Sequence, residues 1–107
     1  MNVIRFDPIR RDTDWIVPLK FRDADTGAPF DLTGASATLT LWGPDRCSLM
    51  TGSNASGEIS YPETGVMLLE FFAPRLSCYR CGTYPVDIIL KRDGFTWCAL
   101  TALLPII

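Results

Sequence analysis

Histidine is absent from all 107 residues, which removes the commonest general base and the commonest metal ligand together. Serine and cysteine triads of the usual kind are thereby excluded. Cations are few and dispersed: ten Lys and Arg against twelve Asp and Glu give a net charge of −2, and only Arg10-Arg11 and Lys91-Arg92 are adjacent. A duplex needs clustered cations to displace its counterions, so no nucleic-acid partner is expected. Long apolar runs are missing too. No stretch approaches about 18 uninterrupted apolar residues, and the closing "CALTALLPII" is too short for a span, so no membrane partner is expected. The opening "MNVIRFDPIRRDTDW" lacks the basic start and apolar run of a secretory signal, which predicts synthesis in a cytoplasm without export. The eight glycines stand at turns and not in a phosphate-cradling cluster.

The composition, 48% hydrophobic and 21% charged, is that of a globular chain, and the length fits a single domain over residues 1–107. Mean hydropathy is positive, a sign that a partner covers some apolar surface. Helical periodicity is nearly absent, whereas period-two alternation recurs about every ten residues. "WIVPLKFR" (15–22) sets Trp15, Val17, Leu19 and Phe21 against Ile16, Pro18, Lys20 and Arg22. Pro18 lacks a ladder donor, which predicts an edge strand or a bulge. "ASATLTLWG" (35–43) sets Ala35, Ala37, Leu39 and Leu41 against Ser36, Thr38, Thr40 and Trp42.

"TGSNASG" (51–57) reads as a polar linker before a short strand "EISY" (58–61). The turn "PETG" (62–65) then leads into "VMLLEFF" (66–72), whose apolar run predicts burial on both faces. "PRLSCYRCG" from Pro74 has room for one helical turn stopped by Gly82. "TYPVDIILK" (83–91) and "FTWCALTALLPI" (95–106) flank Asp93-Gly94, a strong hairpin signal. Together these predict an all-β, immunoglobulin-like antiparallel β-sandwich of about seven or eight strands. Residues 1–11 read either as a flexible or swapped N-terminal arm or, through "NVIRF", as an ordinary first strand.

Each candidate for chemistry has a plainer reading beside it. Asp12 with Asp14 and Asp23 with Asp25 lie two apart, but paired acids between strands read as solvated turn formers, and no catalytic residue is assigned. Cys78 and Cys81 have the spacing of half a zinc site, yet the remaining cysteines, Cys47 and Cys98, stand alone and far apart. Loop or core thiols are the first reading, metal ligation by Cys78 and Cys81 the lesser one, and no cofactor is expected. "NAS" (54–56) matches a glycosylation acceptor that has meaning only in a secreted protein. Trp15 and Trp97 read as core. Trp42 shares a face with Thr38 and Thr40, which makes these three the interface candidates.

The stretch "DTDWIVPLKFRDADTGAPFDLTGASATLTLW" (12–42) resembles the N-terminal β-sandwich domain of bacteriophage baseplate and tail proteins of the baseplate upper-protein type. The matching residues are Asp12-Thr13, Ala28-Pro29 and Asp31-Leu32-Thr33-Gly34-Ala35, then Pro74, Gly82-Thr83-Tyr84-Pro85-Val86-Asp87 and Asp93-Gly94. Cys78 and Cys81 depart from the pattern, where polar or small residues are usual. The resemblance implies a non-enzymatic structural component of a phage or prophage particle (tail, baseplate or neck). Its expected partners are other phage structural proteins, in a homo-oligomer or ring, and its location is the virion. It also implies structural roles for Tyr84, Asp87, Gly34, Gly82 and Gly94, with Tyr84 acting like the tyrosine corner of sandwich folds. The alternative from another class is a module that recognises a carbohydrate or receptor through exposed aromatics.

Overall fold

A computed structural model describes residues 3–10, 12–22, 25–43, 45–72 and 79–107, the first two of them by backbone alone. They contain eight strands and no helix: β1 (Val3–Arg5), β2 (Trp15–Lys20), β3 (Ser36–Trp42), β4 (Ser48–Ser53), β5 (Ile59–Glu63), β6 (Val66–Phe71), β7 (Gly82–Arg92) and β8 (Phe95–Ile106). A five-stranded sheet in the order β1-β8-β7-β3-β4 faces a three-stranded sheet in the order β2-β6-β5. This is an immunoglobulin-like β-sandwich. Every pairing is antiparallel except that of β1 with β8.

The core follows the alternation. Ala35, Ala37, Leu39 and Leu41 are buried, as are Val86, Ile88 and Leu90 of β7 and Ala102 and Leu104 of β8. The second sheet answers with Ile59, Met67, Leu69 and Phe71. Near β1 an aromatic column ties the sheets together. Phe6 meets Trp15 edge-on at 5.3 Å, and Trp15 stacks on Phe71 at 5.6 Å. Phe71 reaches so far across the sandwich that a Cβ on Gly52 would lie 2.5 Å from its ring. Glycine at 52 is what lets the ring in.

β2 is an edge strand of its sheet, the place sequence assigns to a strand carrying Pro18. Phe21 N donates to Gly65 O at 2.7 Å, so Trp15, Val17 and Leu19 direct their backbone groups to β6 in the same parity. Pro18, opposite Leu68, falls in the alternate class of pairs and turns its nitrogen outward. The ladder loses nothing, and the open edge lacks a donor at its middle.

The hairpin between β7 and β8 closes through Asp93 and Gly94, both at positive φ (52° and 81°), with Arg92 opposite Phe95. That is the two-residue turn whose twist matches the flanking strands. The turn before β3 is closed by Ala35 N to Leu32 O at 3.0 Å, with Gly34 at φ 80°. Asp31 Oδ1 accepts from Thr33 N in the same turn. Gly82 begins β7, opposite Ile106.

Three expectations are corrected or fall outside the description. Residues 51–57 are not a linker: β4 runs through Ser53, and only 54–57 turn. β6 is not buried on both faces; Met67, Leu69 and Phe71 are inside, Val66, Leu68 and Glu70 are half-buried, and Phe72 is exposed. The one-turn helix expected at Pro74 lies outside the described residues. Val3–Arg5 pair with Thr101–Leu103 of β8, so that part of the N-terminal segment is a strand of its own sandwich. The chain then follows β8 through Ile9 N to Pro105 O before crossing to the other sheet at β2.

Candidate functional site

A groove of about 980 Å³ opens where the outer face of the five-stranded sheet meets its end. Its sheet side comes from alternation. Leu41 and Val86 point inward, so Trp42 of β3 and Pro85 and Asp87 of β7 point out, and all three line the groove. Trp42 is half-buried, and its Nε1 donates to Asp87 Oδ2 at 3.0 Å. An indole held from β3 to a carboxylate on β7 lies along the sheet with its polar edge satisfied. It is a fixed platform.

The end of the groove is held by two anchored tyrosines, of which Tyr84 lines it. Tyr84 is half-buried against the core, and its hydroxyl donates to Arg80 O at 2.6 Å. This is the geometry of a tyrosine corner, four residues upstream. Tyr79 lies 6.4 Å from the Tyr84 ring and donates to Leu49 O at 2.8 Å. Together they hold Arg80, Cys81 and Gly82 along the rim, all three exposed and all lining the groove.

The opposite rim is the turn joining β3 to β4. Arg46 N donates to Gly43 O at 3.1 Å and Gly43 N to Cys47 O at 2.8 Å. Arg46 sits at φ 64°, a left-handed conformation that costs a non-glycine residue roughly 1–2 kcal/mol. Neither the Arg46 nor the Arg80 guanidinium has a partner among the described residues. Arg46 and Arg80 thus line a groove in which the one carboxylate among the described lining residues, Asp87, is half engaged by Trp42.

Electrostatics elsewhere are modest. Asp45 accepts from the side chain and backbone of Cys47, which holds its carboxyl below the ordinary 3.8. The same contact pushes the exposed Cys47 thiol up, away from thiolate reactivity. Cys81 and Cys98 are free thiols, exposed and half-buried respectively. Cys78 lies outside the described residues, so the Cys78/Cys81 pair cannot be placed together. Among the described residues no three His, Cys, Asp or Glu side chains cluster as metal ligands. Asp12 takes both Arg10 guanidinium bonds at 3.0 and 3.2 Å on the surface, and Asp23 is not described.

Of the three interface candidates, only Trp42 lines the groove. Thr40 lies next along β3, between Asp87 of β7 and Thr51 of β4, and Thr38 further on, between Ile89 and Ser53. Tyr84, Asp87 and Gly82, read as structural, also line it. Gly34 and Gly94 belong to turns elsewhere. Sequence reasoning missed Arg46 and Arg80, because a lone arginine in a turn carries no signal until the turn's geometry is known. No protein-family model matches the chain, and no curated protein matches it.

Proposed function

We propose that this chain is a non-enzymatic structural component of a phage or prophage particle, in its tail, baseplate or neck, that assembles through protein–protein contacts. The observation that carries the reading is where the motif residues of the resemblance fall. Asp31–Ala35 form the turn into β3, Gly82–Asp87 open β7, and Asp93-Gly94 close its hairpin. These are joints of a scaffold, and a scaffold of this size works by being bound. Exposed apolar side chains supply contact surface: Ile16, Leu49, Phe72, Phe95 and Ile107 all face out. Copies meeting head to tail would close a ring.

The test is mass-spectrometric identification of the chain in purified particles induced from its bacterial source, with copy number measured against the major capsid protein. Several copies per particle are expected. Absence from otherwise intact particles would overturn the reading.

The Trp42 groove favours a second reading, a ligand-binding module for carbohydrate or receptor recognition. Its volume lies at the upper end of small-molecule sites, and an aromatic platform with a few convergent polar groups is the usual construction of such a site. Trp42→Ala is expected to abolish glycan binding and leave assembly intact, as read on a glycan array and by particle composition.

A further inference from the structure

We infer that the groove between the β3–β4 turn and the start of β7 is a site for an acidic saccharide, one bearing a uronic or sialic acid carboxylate. This rests on the ligand-binding reading and names the ligand class for it. Strands β3 and β7 are both interior to the five-stranded sheet, so their backbone groups are already paired. A peptide laid here gains no ladder, and recognition falls to side chains. Those side chains divide into three kinds. Trp42 offers a platform whose Nε1 is already bonded to Asp87, leaving ring surface and not a donor. Tyr84 likewise has its hydroxyl committed to Arg80 O.

The charged donors among the described lining residues are the guanidiniums of Arg46 and Arg80, one on each rim and neither with a partner among the described residues, beside the neutral hydroxyl of Thr83. A guanidinium matches a carboxylate in two parallel bonds. The anionic acceptor among the described lining residues is Asp87 Oδ1, because only Oδ2 takes the indole proton. That oxygen repels a purely acidic peptide and accepts from a hydroxyl. A pyranose acid satisfies all three: its ring stacks on Trp42, its carboxylate meets an arginine, and a hydroxyl reaches Asp87. The left-handed Arg46 adds a second observation. A glycine would sit more easily at φ 64°, and strain of this kind concentrates at ligand sites.

The experiment is calorimetric titration of the whole chain with oligogalacturonate, a sialylated oligosaccharide, a neutral galactose oligomer of matched length, and an acidic peptide of matched charge. One or both acidic sugars are expected to bind, with the neutral oligomer and the peptide weaker by about tenfold or more. Arg46→Gly relaxes the turn, so its melting temperature is expected to hold or rise while acidic-sugar affinity falls about tenfold or more. Arg80→Gln is expected to lose affinity similarly. Equal binding of the neutral oligomer, equal binding of the peptide, or full affinity in both arginine variants overturns the inference. Neutral binding that depends on Trp42 would do so while leaving the ligand-binding reading standing. No binding of any sugar overturns the inference and leaves the ligand-binding reading only in its receptor form.

Discussion

Tyr84 divides its side chain between two tasks, the ring packing against the core and the hydroxyl donating to Arg80 O. Tyr84→Phe keeps the first and deletes the second. The expected loss is about 1 kcal/mol, a drop of several degrees in melting temperature for a domain of this size. Calorimetry of the pair checks it; an unchanged midpoint would mean that water serves the Arg80 carbonyl equally well. Gly52 carries a sharper prediction. An added Cβ would stand 2.5 Å from the Phe71 ring, so Gly52→Ala is expected to cost roughly 1–3 kcal/mol by overpacking. Adding Phe71→Leu frees the space, and the double variant should be more stable than the two single losses summed, as denaturant titration would show. At this scale Trp42 was legible in the sequence, because the parity of "ASATLTLW" puts it outside whatever the partner strands are. Gly52 was not. Its reason is a ring on the opposite sheet, and nothing near residue 52 in the chain records that.

Elements owe their legibility to how far local chemistry decides them. β2, β3, β7 and β8 announce themselves by alternation and by Asp93-Gly94, whose demand for positive φ is local. β4 hides because its inward positions are Met50 and Gly52, too small a signal, and its outward ones mix the apolar Leu49 with Thr51 and Ser53, so no clean alternation shows. The edge of β2 makes a prediction of its own. Pro18→Val restores an outward N–H in the middle of an open strand, so the variant is expected to associate edge to edge while its melting temperature is held, as size-exclusion chromatography would reveal. A variant that elutes like the native chain would mean that the edge is covered by other means. The turn before β3 adds a small dependence on acid. Asp31 is held below the ordinary 3.8 first by hydrogen bonds from Thr33, and a folded pKa below the unfolded one adds stability that is present above 3.8 and is lost as pH falls through the folded value. The group is exposed, so the effect is small. Thr33→Val, which keeps the backbone bond and removes the hydroxyl, is expected to flatten the acid-side fall in melting temperature.

At the scale of the whole molecule the sandwich was legible and its closure was not. Strand number and spacing point to two sheets, but the parallel pairing of β1 with β8 joins residues about a hundred positions apart, and no local pattern encodes a partner that distant. What remains after closure is a sheet face that none of the other described strands covers. On the outside of the three-stranded sheet, Ile16 of β2 and Phe72 just past β6 are more than half exposed, at 53% and 54%. Half-buried Glu70 lies opposite Ile16, and half-buried Leu68, opposite Pro18, continues the face on the side away from Phe72. Exposed apolar area of this kind marks interaction surfaces, and a net charge of only −2 does little to hold copies apart. Under the proposed assembly role, the double change Ile16→Lys with Phe72→Lys should reduce self-association in sedimentation velocity and reduce incorporation into particles. Its melting temperature should hold, because neither side chain contributes to the core. Incorporation at the native level would assign assembly to the other sheet, and the Trp42 face would then have to serve copies of the chain as well as any ligand.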